Sequence, residues 1–253
     1  MTRTIDLNSD LGERFGAWSM GDDAGLMPHL TSANIACGFH AGDPRTIAET
    51  VALAMRHEVA IGAHPGLPDL VGFGRRNIAI TPEEAYQMVL YQAGALRAFA
   101  EAAGGRLHHV KAHGALYNMA ATDVELSRGI VRATLALGDQ VALIVLSGSV
   151  TEQVAREAGL PVACEVFADR RYLDNGLLVP RSDARAMITD VQESIEQVAR
   201  MVLEGRCNSV TGGTLAVRAD TICLHGDQEG GVVFAQALRT ALGSYGILPR
   251  AFP

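Results

Sequence analysis

The chain has 253 residues, 48% hydrophobic and 19% charged, with a formal net charge of −7. That composition suits a globular protein with a sizeable core, and the acidic balance argues against nucleic acid or an anionic membrane surface as the main partner. No stretch reaches the roughly 18 apolar residues that span a bilayer, and the start, MTRTIDLNSD, lacks a signal-peptide apolar run, so the chain reads as soluble and cytoplasmic.

Strand-like runs alternate with helical patterns, the signature of βα units around a parallel sheet. The first run, residues 4–8, leads into 9–15. The second, 33–37, runs into GFHAGDP, and Asp43 caps a helix over 44–57 with Pro44 at its first position. The third, 59–64, opens into the Gly/Pro-rich loop HPGLPDLVGFGRR, after which Thr81 and Glu84 form the capping box of a helix reaching about Ala103. The fourth, 108–113, breaks into a loop at Gly114, and a helix follows near 123–137. The fifth, 141–146, ends at Ser147-Gly148-Ser149, and the sixth, 162–167, ends in Ala168-Asp169-Arg170-Arg171. A long helix is expected near 183–203, then a seventh run, 221–225, ending in Gly226-Asp227, and a closing helix near 228–242. Segments 172–181 and 206–220 read as loop or hairpin excursions, and without a linker or repeat the chain reads as one domain over 1–253.

Period two decides the architecture. Thr4, Asp6, Asn8 and Asp10 share one face of the first strand, against Ile5 and Leu7 on the other. Gly62 and His64 share a face of the third strand, His109, Lys111 and His113 of the fourth, and Thr221, Cys223 and His225 of the seventh. An open doubly wound sheet should be apolar on both faces. One polar face, most polar toward the carboxyl ends, instead fits an α/β barrel of seven strands whose C-terminal mouth is the active site. The four cysteines form no C-x-x-C pair, and three sit in apolar runs as small buried hydrophobes.

Lys111 is the chain's only lysine; every other basic side chain is arginine or histidine. A compact, titratable ammonium kept where arginine serves elsewhere marks a position that a forked guanidinium cannot fill. Around it, Asp10, His40, Asp43, His64, His113, Glu165, Asp169, His225 and Asp227 stand at strand ends, and six of the seven strands place a titratable group at the same end. Asp10, His40, His64, Lys111, His113, Glu165 and His225 are the catalytic candidates. Asn8, Asp43, Asn118 and Asp169, with Arg75 and Arg76 as a carboxylate or phosphate clamp, are the substrate-binding candidates. Two chemistries stay open: a divalent metal on Asp10, His64 and His113, with His40 as alternate, or metal-free acid/base work by Asp10 or a histidine with Lys111 as electrostatic partner. No P-loop, G-x-S-x-G elbow or G-x-G-x-x-G fingerprint occurs.

IDLNSDLGERFG, NIACGFHAGDP, GAHPGLPDLVGFGRR, VKAHGALYN, EVFADRRY and CLHGD resemble, in order and over most of the chain, the lactam-utilisation (LamB/YcsF) family. Alanine stands at 112 where the family usually has proline, which leaves Lys111 and His113 in place. The resemblance implies a barrel of the glycoside hydrolase/deacetylase type. It also implies ATP-dependent opening of 5-oxo-L-proline to L-glutamate by a 5-oxoprolinase with two other subunits, of B and C type. The ATP site would be built here without a P-loop or shared with those partners. The alternatives are a metal-dependent deacetylase of an N-acetyl sugar and a metabolite-binding subunit without catalysis.

Overall fold

The computed structural model describes residues 3–225 and 230–253. Its strands are β1 (Arg3–Leu11), β2 (Ser32–Ala36), β3 (Ala60–His64), β4 (Leu107–Lys111), β5 (Ala142–Leu146), β6 (Val162–Phe167), β7 (Arg206–Asn208), β8 (Thr214–Ala216), β9 (Thr221–Cys223) and β10 (Ile247–Pro249). β1 to β6 and β9 pair in parallel, and β9 closes on β1 with Thr221 opposite Asp6. The fold is thus the closed seven-stranded (β/α) barrel expected from the period-two pattern. β10 adds to the amino end of β1 outside the ring, and β7 and β8 form an antiparallel hairpin between β6 and β9.

The helices are α1 (Asp23–Leu26), α2 (Pro44–Arg56), α3 (Pro82–Ala102), α4 (Gly114–Ala120), α5 (Val124–Ala136), α6 (Val150–Glu157), α7 (Val191–Glu204) and α8 (Gly231–Ser244). They take the outward side chains of the strands. Ile5 and Leu7 join Ile47, Val51, Leu96, Ile130 and Leu238 in one buried apolar cluster, each such side chain contributing about 1.5–3 kcal/mol by leaving water. Asp43 and Thr81 cap α2 and α3 as expected, Thr81 within a reciprocal capping box with Glu84.

The inward side chains form a hydrogen-bonded ladder, which is how a polar barrel interior is tolerated. At the lowest level Asp6 accepts from Thr31 at 2.5 Å, Ser32 at 2.7 Å and Thr221 at 2.5 Å. Burial nevertheless pushes its carboxyl up to about 6. Above it, Asn34 donates to Asn8 at 2.7 Å and accepts from His109 Nε2 at 2.8 Å. A Cβ on Gly62 would stand 1.9 Å from that same nitrogen, so the glycine is the space His109 occupies.

Four local expectations are corrected. β4 stops at Lys111, and His113 precedes helix α4, which the pattern does not predict, rather than ending a strand. Gly114 turns the chain at φ 54°, where a Cβ would meet the Gly74 carbonyl at 2.7 Å. α6 is a further helix outside the expected set, although Ser149 caps it through the backbone N–H of Glu152. α7 starts at Val191, not near 183, because Asp190 is its cap while Asp183 accepts from the Arg185 backbone in a preceding turn. Asp227 and the expected start of the closing helix at 228 lie outside the described residues.

Candidate active site

The carboxyl ends of the barrel strands open into a cavity of about 490 Å³, lined on its floor by Asp10, His64, Lys111, His113 and His225. β1 and β4 bring Asp10 and Lys111 across the barrel. Lys111 Nζ lies 3.0 Å from Asp10 Oδ1 and 2.8 Å from Glu165 Oε1, and it donates to Asn8 at 3.2 Å. Only 3% of the lysine side chain is exposed, so its two carboxylate neighbours compensate a charge that water cannot. Burial works against the ammonium, yet Asp10 and Glu165 raise its pKa well above the usual lysine value. Burial likewise raises Asp10, but His64 and Lys111 outweigh it and hold that carboxyl well below the usual range.

Glu165 does not reach the cavity. It is fully buried beneath Lys111 and accepts from the Tyr117 hydroxyl at 2.7 Å, so it meets the cavity only by way of the lysine. Asn8 is buried below it in the same way. Tyr117, which is not among the residues expected from the sequence, both anchors Glu165 and lines the cavity.

On the far wall the segments just after β6 and β9 supply a second pair. His225 Nδ1 lies 2.8 Å from Asp169 Oδ2 and 3.0 Å from Oδ1. A carboxylate in that position fixes the hydrogen on Nδ1 and leaves the Nε2 lone pair for a proton. Asp169, expected to bind substrate, instead orients His225 from outside the cavity lining. Burial raises its carboxyl, but His225 draws it below the usual value.

His64 and His113 meet at 3.0 Å, and His64 Nε2 is 3.2 Å from Asp10 Oδ2, so the expected metal trio does converge. His40 lies behind them, stacked on His113 with ring centroids 3.7 Å apart, and out of the cavity. Burial, then the neighbouring histidines, keep His40 well below the ordinary imidazole value; burial and His64 do the same to His113. Glu13, in the loop after β1, also reaches this cluster, a contact that no periodicity marks because the residue is not on a strand.

The arginine clamp is only half as expected. Arg75 lines the cavity, but Arg76 pairs with Asp69 outside it. Asp43 is spent as the cap of α2 and on the Gly16 backbone N–H at 2.8 Å. Asn118 lines the wall. The structure adds Arg170 and Arg181 to that wall, on a flap whose apolar part is residues 177–180. Arg170 is 5% exposed, donates to the Val179 carbonyl at 2.6 Å, and has no hydrogen-bond partner at Nε. Burial, then Arg181, depress its guanidinium to about 10. The sequence signal for it is the pair Arg170-Arg171 directly after an apolar strand: Arg171 turns out to Glu193, and Arg170 turns in.

A closed (β/α) barrel with paired acids, bases and cations at its C-terminal mouth is the architecture of a small-molecule site. The chain belongs to the LamB/YcsF family, whose model matches residues 5–252. It is 54% identical over 251 residues to the A-type subunit of 5-oxoprolinase from Bordetella parapertussis, covering 99% of this chain and 100% of that one. It is 52% identical over 248 residues to the protein of the same name in Thermus thermophilus, covering 98% and 99%. Among solved structures, the lactam utilization protein of Thermus thermophilus superposes with a TM-score of 0.92 at 51% identity, over 98% of this chain and 100% of that one. An Enterococcus faecalis protein named for cellobiose-phosphate cleavage shares the fold, with a TM-score of 0.56 at 15% identity over 99% and 98%. Among the described residues no helix is long and apolar enough to cross a membrane.

Proposed function

We propose that this chain is the ring-opening component of an ATP-dependent 5-oxoprolinase. It would convert 5-oxo-L-proline to L-glutamate, with ATP going to ADP and phosphate, together with two partner subunits. The observation that carries the reading is one cavity holding an Asp169-oriented His225, a buried Lys111 and a rim of arginines. The names of relatives more than 50% identical over nearly their whole length support it.

The chemistry follows from the groups present. An unstrained lactam is a poor electrophile, and phosphate transfer from ATP to its oxygen opens the ring carbon to water. His225 Nε2 takes the proton of that water, and Lys111 faces the charge that develops as the C–N bond breaks. The amine released takes up a proton, and the acyl phosphate left on the side chain is hydrolysed by a second water. The sequence holds no P-loop, so the nucleotide site is built here without one or shared with the partners.

The substrate carboxylate must lose water on entry and needs a cation to meet it. Arg75, Arg170 and Arg181 line the cavity, and Arg76, paired with Asp69, lies outside it. Arg170→Met and Arg75→Met should each raise KM for 5-oxoproline by about 10- to 100-fold, the worth of one charged hydrogen bond, with KM for ATP little changed. Arg76→Met should leave both constants alone. A rise for Arg76→Met with none for the other two would move the carboxylate out of this cavity. The convergence of Asp10, His64 and His113 also suits metal-dependent deacetylation, which turnover of an N-acetyl sugar without ATP would favour.

A further inference from the structure

Beside the acid/base pair stands a cluster of donor atoms that ring opening leaves unused. His64 Nε2 and His113 Nδ1 lie 3.0 Å apart. The other nitrogen of each ring faces a backbone carbonyl, Lys111 O for His64 and Phe73 O for His113, both at 2.8 Å. A carbonyl only accepts, so both outer nitrogens carry hydrogen, and the two inner nitrogens face one another, with Asp10 Oδ2 3.2 Å from that of His64. That arrangement needs a cation between them, either a proton or a metal ion.

Two neighbours decide between these. His40 is fully buried, and neither of its ring nitrogens makes a hydrogen bond. Glu13 Oε1 stands 3.4 Å from His40 Nε2 and 3.6 Å from His113 Nδ1. A proton shared by His64 and His113 leaves His40 unsatisfied, whereas a metal ion can take its nitrogen as a ligand. One donor atom each from Glu13, His40, His64 and His113 lie within 4.8 Å of one another. Gly66 and Gly74 make the room, since a Cβ on either would stand 2.5 Å from His40 Nδ1 or 2.7 Å from His40 Cβ.

We propose that His40, His64, His113 and Glu13 form a binding site for one divalent ion of the zinc class. Three imidazoles and a carboxylate are the donor set that zinc and its neighbours select. The carbonyls behind His64 and His113 fix each ring as the outer partners of metal-bound histidines do. Asp10, expected among the ligands, is held through Oδ1 by Lys111 and Asn34, at 3.0 Å and 2.9 Å, and its Oδ2 stands 3.2 Å from His64 Nε2 at the edge of the cluster. The site stands apart from the lactam reading, because its occupancy is measured without turnover.

The test is metal binding by the full chain after chelator treatment. Elemental analysis and calorimetry with Zn²⁺, and the visible spectrum with Co²⁺, should show one equivalent in a nitrogen-rich site and a raised melting temperature. His40→Gln and Glu13→Gln should each weaken Zn²⁺ binding by at least the roughly 10- to 100-fold that losing even an orienting partner costs. His225→Gln should bind as the parent does. Circular dichroism checks each variant, and if His40→Gln does not fold, Glu13→Gln, in a loop with its side chain 8% exposed, decides alone. No stoichiometric metal would leave a shared proton between His64 and His113 and overturn the proposal. So would parent-like affinity in Glu13→Gln, or loss in His225→Gln, which would place the ion in the neighbouring group of Asp10, Cys223 and His225.

Discussion

Lys111→Arg is expected to slow the assembled enzyme about 10²- to 10³-fold, the usual loss when one preorganised electrostatic group is displaced. The ammonium fits between Asp10, Glu165 and Asn8 with all three within 3.2 Å, and the sulfur of Cys223 also lies 3.2 Å away. A guanidinium is planar and longer, and its fork cannot occupy a pocket shaped for one tetrahedral nitrogen. The charge would be kept and its position lost. Lys111→Met makes the complementary case: it leaves the buried Glu165 and the cavity-lining Asp10 without their cation, which costs about 3–5 kcal/mol of stability. Turnover of the Arg variant and denaturant unfolding of the Met variant check the two halves. Parent-like turnover in Lys111→Arg would end the special role of the lysine.

Asp169→Asn should lower kcat by about 10²- to 10⁴-fold, the range for losing a positioned general base. The amide can present either an acceptor or a donor to His225 Nδ1, so the hydrogen is no longer held there and the Nε2 lone pair is no longer assured. Asp169 stands outside the cavity lining, unlike Arg75, Arg170 and Arg181, so KM for 5-oxoproline should move little. A KM rise with kcat intact would mean that Asp169 shapes the pocket and does not act through the histidine.

How much of this is legible in the sequence follows from periodicity. Alternation along β1, β3 and β4 reveals a polar barrel interior, because a two-residue repeat survives wherever a strand is regular. It brings Asp10, His64, Lys111 and His225 to one end, and the lone lysine points to the centre of the site. What alternation cannot separate is depth. Asn8, Asp10, His109 and Lys111 share the interior, but only Asp10 and Lys111 among them reach the cavity, and Glu165 is sealed beneath it. Loop residues carry no period at all. Glu13 and Arg181 are therefore invisible as site residues, Arg170 is marked only by standing with Arg171 directly after an apolar strand, and Asp43 and Arg76 look functional until their partners, Thr46 and Asp69, are known. Short helices escape for a related reason: α4 spans seven residues and has no side-chain cap to announce it.

We propose that this barrel opens the lactam only when partner subunits deliver phosphate to it. The direct measurement mixes the purified chain with its two partner subunits, singly and together, and follows ADP and glutamate from ATP and 5-oxoproline. Both products are expected in equal amounts from the complete mixture alone, with loss of glutamate when the Asp169→Asn chain is substituted. Glutamate from this chain by itself, at the rate of the complete mixture, would contradict it.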